Sequence, residues 1–484
     1  MTPSAVDFSD VQGLVRFGHG RLEEARYALV RVKRLEAARA WLRSVPVTTA
    51  AAASPPPTTA LQVAFTAAGL GALGLPPAVR AAFSPEFLSG MAEDSRSRRL
   101  GDVGANAPTG WAWGGARGEP HLVVMFFAAS GGLAGFVAGQ TGEAWKDGFE
   151  TPHWLETSAL DGVEPFGFAD GISQPDLDWS QQRDVNAGRI AYSSNVALGE
   201  FLLGYRNEYD KYSDRPLLDA DARSAGLLPA QDAPDKKDLG RNGTYLVMRQ
   251  LRQDVRAFWQ FVHGQAGGNA AQAEALAAAF VGRTRTGVPL SAPQASKLNQ
   301  FDFDDDPAGA RCPIGAHIRR ANPRNADYPG RPTRLARLLA DLGFGRKVFR
   351  EDLTSSVRFH RILRRGREYG PGLKPEDALV PAPVKDEERG LHFVCLNANI
   401  GRQFEFLQNA WLASVKFSGL TNESDPLLGT RAKLAGCPVT DAFTLPQDGA
   451  PARVVTGLPQ FVTVRGGAYF FLPGLRALRY IAGA

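Results

Sequence analysis

Apolar residues along this chain follow two spacings, and segments of the two kinds alternate. Apolar alternation of strand type surrounds Ala28-Leu29-Val30-Arg31-Val32, and a continuous apolar run of strand length extends from His121 to Ala128. Tyr245 to Leu251, Leu391 to Ala398 and Phe461 to Leu472 predict three more strands in the second half. Between these runs the period changes. Leu35 to Leu42 reads as an amphipathic helix, and Val255, Phe258, Trp259 and Val262 fall at i, i+3, i+4 and i+7, the stripe of a helix that covers a sheet. Strands far apart in sequence, with helices between them and no internal repeat, predict α+β architecture.

Punctuation separates these segments. Ala50 to Thr59 is rich in small residues and contains Pro55-Pro56-Pro57, which cannot continue a helix, so it predicts a loop. Tyr209 to Asn242 and Gly282 to Asp306 have loop composition, and the first is the candidate linker between two domains of similar size. A length of 484 residues leaves room for two or three domains and an ample core.

Composition narrows the partners. Hydrophobic content of 44% and charged content of 22% describe an ordinary globular protein, and a net charge of +5 is mild for this length. The arginines are spread along the chain, so no basic block predicts a nucleic-acid partner. No apolar run reaches the roughly 18 residues of a membrane span, and the start shows neither a leader pattern nor a twin-arginine pair. Cys312, Cys395 and Cys437 do not form a disulfide framework. A cytoplasmic location with no membrane partner is the expectation.

The chemistry-bearing residues follow from what is missing. The histidines are scattered, and no pair of His or Cys has the CxxC, HxxxH or HExxH spacing of a zinc site or the run of an iron–sulfur ligand set. A metal held by this chain would therefore arrive inside a macrocycle that supplies most of its ligands, and haem needs only one from the protein. His317 suits that bond: it is a lone imidazole in Cys312-Pro-Ile-Gly-Ala-His-Ile-Arg-Arg-Ala-Asn-Pro-Arg324. The bland alternative is a histidine packed in a domain wall.

Two further segments stand out. Phe166-Gly-Phe-Ala-Asp-Gly-Ile-Ser-Gln-Pro175 contains GxxDG, whose glycines let the backbone bend sharply and present Asp170 at a turn, as a general base or simply as a turn residue. In Arg361-Ile-Leu-Arg-Arg-Gly-Arg-Glu-Tyr-Gly370, four arginines crowd a short run. They predict a solvated basic face, or a strand from which one guanidinium alone points into a pocket.

Taken together and in this order, GxxDG at Gly167 to Gly171, AHIRRxNPR at Ala316 to Arg324 and hxRRG at Ile362 to Gly366, the three segments resemble the dye-decolourising peroxidases. Similar framework stretches at Asp10 to Leu14, Gly199 to Tyr205, Gly390 to Asn399 and Val464 to Pro473 extend the resemblance over nearly the whole chain. The long interval from His317 to Arg364 resembles the longer, fungal-like and bacterial subgroup.

The resemblance implies two ferredoxin-like α+β halves with antiparallel sheets flanked by helices. They would be an N-terminal domain, 1–225, carrying the GxxDG turn, and a C-terminal domain, 226–484, holding haem b. It implies His317 as the axial ligand, Asp170 as the distal acid–base residue, Arg364 as the distal arginine, and Leu391 and Phe393 as the apolar distal pair. The last two are spaced so that their side chains share one strand face. An axial imidazole usually donates its other N–H to a carboxylate, for which Asp425 is the first choice and Glu423 the second.

The implied activity is oxidation of dyes, phenols or other aromatic donors by hydrogen peroxide, through a ferryl porphyrin-radical intermediate. In that scheme Asp170 moves a proton, worth about 10² to 10⁴ in rate, and Arg364 supports the developing hydroxide, worth about 10² to 10³. An ionised aspartate predicts activity favouring acidic pH. Large donors would deliver electrons at the surface, with Trp179, Trp259, Trp411, Tyr369 and Tyr469 as candidates by residue type alone. Arg367-Glu368-Tyr369 departs from the less charged segment of many relatives and leaves the polarity of the access route open. Two rival readings stand: a haem carrier or porphyrin-modifying protein with little peroxidase turnover, against which Asp170 and Arg364 argue, and an α+β protein that binds no haem. A homo-oligomer is left open.

Overall fold

A computed structural model of the chain describes residues 5–160, 162–185, 193–325, 356–384, 386–433, 436, 439–447 and 449–483. Cys437 and most of the interval between His317 and Arg364 lie outside the described residues.

Among the described residues, nine strands form one antiparallel sheet: β1 (Glu24–Val32), β2 (Thr59–Phe65), β3 (Leu122–Ala128), β4 (Phe149–Glu156), β5 (Thr244–Gln253), β6 (Leu363–Arg364), β7 (Arg367–Tyr369), β8 (Gly390–Asn397) and β9 (Val462–Leu472). Their spatial order is β6-β8-β5-β9-β2-β3-β1-β4, with β7 beside β8. Within the first half the order is second, third, first, fourth strand. The second half repeats it, taking β5, β6, β8 and β9 as its four strands. This arrangement is the ferredoxin-like split βαβ, present twice. The halves meet where β9 pairs with β2 at Phe471 and Phe65.

Both faces of the sheet are covered, which explains why several strands read as continuous apolar runs and not as strict alternation. Every residue of β3 is buried. Val124 and Phe126 face one core with Leu61, Val63 and Val247, while Val123, Met125 and Phe127 face another with Leu246 and Met248. Burying each such side chain contributes roughly 1.5–3 kcal/mol, so a charged residue at Val124 or Met125 would break the sheet.

The helices cover the first of these faces. α1 (Leu35–Ser44) buries Ala38, Trp41 and Leu42, and α2 (Val255–Gln265) buries Val255, Phe258, Trp259 and Val262, the four residues of the predicted stripe. Asp254 caps α2 by accepting the Ala257 amide, and Asn269 caps α3 (Ala270–Val281) through the Gln272 amide. The segment from Tyr209 to Asn242 is folded, unlike a flexible linker. It forms a short strand pair, Leu217–Asp219 with Lys236–Asp238, and Arg215 makes ion pairs with Asp232 and with buried Asp238.

Candidate functional site

One cavity on the helix-bearing face of the second half gathers residues from distant parts of the chain. It is lined by Asp170, His317, Arg364, Leu391 and Phe393, all of them singled out from the sequence, together with Leu251, Val462 and Val464 of the sheet floor. The floor follows from register: Leu391 and Val464 flank Leu251 on its two sides, and Phe393 lies beside Arg249. Period-2 geometry places these side chains on one face.

His317 begins a short helix, α4 (His317–Ala321), and its Nδ1 lies 2.9 Å from Asp425 Oδ2. Asp425 is fully buried, and its other oxygen accepts the Leu427 and Leu428 amides at 2.9 and 2.8 Å. Burial pushes the Asp425 carboxyl up, but His317, the Leu428 amide and the Arg320 charge outweigh it and leave it below the usual range. For His317, burial pushes the pKa down and Asp425 more than restores it. The tautomer that donates Nδ1–H to Asp425 leaves Nε2 as the acceptor nitrogen of a ring that lines the cavity. Glu423, the second choice, bonds the Thr444 amide at 3.0 Å instead.

The helix that carries His317 is fixed by Arg320. Its guanidinium, fully buried, donates to the carbonyls of Gly315, Trp411, Ser414 and Glu423.

Asp170 stands on a loop of the first half. Gly167 and Gly171 adopt φ of 94° and 77°, the left-handed region that favours glycine, and so bend the chain on either side of it. The loop is anchored in the second half: the Ala169 amide donates to the Arg285 carbonyl at 2.9 Å, and Trp259 Nε1 donates to the Phe166 carbonyl at 3.0 Å.

Arg364 on β6 meets this loop. Its Nη1 donates to Asp170 Oδ1 at 2.6 Å, and its own amide donates to Gln174 Oε1 at 3.0 Å. Burial pushes the Asp170 carboxyl up, yet the Arg364 guanidinium and the Gly171 amide pull it below its ordinary value. Gly366 lets the chain leave β6 against β8, since a Cβ there would meet the His392 carbonyl at 2.6 Å.

The other arginines depart from both sequence expectations. Arg365 donates to the carbonyls of Leu14 and Val15, and Arg367 to those of His19, Leu22 and Glu23, so they tie the N-terminal segment to the strand and do not form a solvated face. Arg361 also lines the cavity, so Arg364 is not alone there. Four of the five candidate electron-transfer residues are core: Trp259, Trp411, Tyr369 and Tyr469 are buried, and only Trp179 is half-buried.

Sequence reasoning missed Glu164, Asp102 and Arg249, which also line the cavity. Asp102 and Arg249 form a buried ion pair, and burial pushes the Glu164 carboxyl up to about 7. No local motif marks the first two. Glu164 lies just ahead of GxxDG, and that proximity was the available signal.

The lining fits a metal macrocycle. No cluster of three or more potential metal ligands exists among the described residues; the cavity, walled by Ile318, Leu407, Leu412, Leu427 and Leu428, holds two imidazoles, His317 oriented by a carboxylate and His360 with its Nδ1 against the Arg402 carbonyl. Arg283, Arg324 and Arg361 line the same cavity and suit the carboxylates of a porphyrin edge. Such a group needs a donor to its metal, apolar faces and cations near its carboxylates, and residues of all three kinds line the cavity.

No family model matches the chain. It is 29% identical over 457 residues to dye-decolorizing peroxidase msp1 of Mycetinis scorodonius, covering 87% of this chain and 76% of that one. It is 30% identical over 357 residues to multifunctional dye peroxidase DyP2 of Amycolatopsis, covering 69% and 64%. Among solved structures, a fungal DyP-type peroxidase from Auricularia auricula-judae superposes with a TM-score of 0.74 at 23% identity over 100% of both chains. A dye-decolorizing peroxidase in complex with 2,6-dimethoxyphenol gives 0.71 at 23% identity, covering 99% of this chain and 100% of that one. In the order of its motifs, the doubled ferredoxin-like sheet and the cavity they line, the chain is similar to the dye-decolourising peroxidases over most of its length.

Proposed function

We propose that this protein is a haem peroxidase that uses hydrogen peroxide to oxidise dyes, phenols or other aromatic donors, with haem b as cofactor. The observation that carries the reading is one cavity holding both a carboxylate-oriented imidazole, His317 with Asp425, and an acid paired with an arginine, Asp170 with Arg364. When bound, haem supplies the iron that takes peroxide and the oxidising equivalents that the donor consumes.

The side chains divide the remaining work. His317 Nε2 would hold the haem iron, and Asp425 fixes the ring's tautomer and raises its basicity. Asp170 would take a proton from one oxygen of peroxide and return it to the other. Arg364 keeps Asp170 ionised and supports the charge that develops as the O–O bond breaks. Leu391 and Phe393 keep water from that side.

Residues 1–225 are assigned as the domain that brings Asp170, and 226–484 as the domain that holds haem. The free thiols of Cys312 and Cys395 support a reducing, cytoplasmic setting. No helix among the described residues is long and apolar enough to cross a membrane.

The test is to load the protein with haem, add one equivalent of hydrogen peroxide, and follow the Soret region from milliseconds to seconds. A fast spectral change, with peroxide-dependent oxidation of a simple phenol that Asp170→Asn removes, is the expected result. A haem spectrum indifferent to peroxide would overturn the reading in favour of a carrier.

A further inference from the structure

Resting on the acid–base role proposed for Asp170, we infer that Glu164 is the positioning residue that holds the Asp170 turn in register with Arg364. Its carboxyl lies in the wall of the same cavity and gathers three donors. Glu164 Oε1 accepts the Phe168 amide at 3.0 Å, and Oε2 accepts the Phe166 amide at 3.0 Å and Gln253 Nε2 at 2.7 Å. The main chain closes around the same residue: the Glu164 amide donates to the Phe168 carbonyl at 2.9 Å, and the Gly167 amide to the Glu164 carbonyl at 2.7 Å. Five hydrogen bonds thus fix the loop two residues before Asp170.

Two features give the arrangement direction. Gln253 belongs to β5, so the carboxyl ties a loop of the first half to the sheet floor of the second, the same floor whose neighbour β8 pairs with the strand of Arg364. The two phenylalanines whose amides it holds are themselves locked. Phe166 packs on Phe258 with ring centroids 4.6 Å apart, and Phe168 stacks on Trp259 at 6.3 Å and 3° between planes. The turn is therefore held by its side chains from one side and by Glu164 from the other, next to the Asp170–Arg364 pair.

A carboxyl group is required at this position. In its ionised form both of its oxygens accept, whereas a glutamine amide would turn an NH2 against one of the three donors. A loop released in this way displaces a reacting group by about an ångström, which commonly costs about tenfold to a hundredfold in rate.

The experiment uses the haem-loaded protein and Glu164→Gln in two backgrounds. The rate constant for reaction with hydrogen peroxide is expected to fall about tenfold to a hundredfold in the wild-type background and not to fall further in Asp170→Asn, because Glu164 acts through Asp170. Amide hydrogen exchange at Phe166 and Phe168 should accelerate while β5 keeps its protection and the Soret maximum stays in place. Equal losses in both backgrounds would make Glu164 a general structural residue and overturn the inference, as would an unchanged rate with unchanged exchange. If Asp170→Asn alone leaves the rate intact, the acid–base reading fails, and the exchange data still decide whether Glu164 holds the turn. Should Glu164→Gln not fold, Gln253→Ala removes one donor only and is expected to give a smaller loss with the same dependence on Asp170.

Discussion

Arg364 Nη1 donates to Asp170 Oδ1 at 2.6 Å, although 194 positions separate them in the chain. The pair joins the two ferredoxin-like halves at the cavity, and its electrostatics set how the site responds to pH. Burial alone would raise the Asp170 carboxyl, and the guanidinium reverses the sign.

Since the Asp170 pKa is lowered in the folded protein, the carboxylate stays ionised into acid, and kcat/KM for peroxide should fall only as pH drops through that lowered value. Arg364→Leu removes the pull while burial remains. Its acid limb should move to higher pH, and its rate at neutral pH should fall about 10² to 10³. An acid limb that does not move would show that another group is the base.

His317→Ala should keep the fold and lose the axial bond. The expected outcome is poor haem retention with an altered Soret band, and recovery of that band when free imidazole is added to fill the space. Full loading with an unchanged spectrum would remove His317 from the iron.

Asp425→Asn leaves an amide where the imidazole N–H needs an anion. Haem affinity is expected to drop about 10- to 100-fold, read by transfer of haem to an acceptor protein. The sign of the linked stability also follows. The folded pKa of Asp425 is depressed, so its contribution is complete above the unfolded value near about 3.9 and is lost as pH falls through the folded value. The stability gap between wild type and variant should therefore narrow in strong acid, as measured by urea unfolding across pH.

Arg320→Met would leave four buried carbonyls without their donor and release the helix that begins with His317. Destabilisation of about 3 kcal/mol or more is expected, given the cost of unpaired buried acceptors. Chemical denaturation of the haem-free protein measures it directly, and an effect under about 1 kcal/mol would mean that water replaces the guanidinium.

Much of the site was legible because its residues sit in short motifs whose local geometry is self-contained. GxxDG reads as a turn since both glycines need left-handed φ, and Leu391 and Phe393 share a face because a strand has period 2. The stripe Val255, Phe258, Trp259 and Val262 became the buried face of α2 for the same reason. The stretch from Tyr209 to Asn242 was harder. Its polar composition hid a fold held by Arg215 and its carboxylates, and ion pairs leave no periodic trace.

Amino-acid order by itself therefore determined the strongly periodic elements and the residue types of the chemistry, since periodicity and glycine stereochemistry act over a few residues. The tertiary structure decided which groups meet. It chose Asp425 over Glu423 for His317, turned Arg365 and Arg367 onto backbone carbonyls, brought Arg361 to the cavity beside Arg364, and set Glu164 behind Asp170. Those choices depend on pairing distant strands and on desolvating charges at their crossing. Both are properties of the packed chain and of no segment within it.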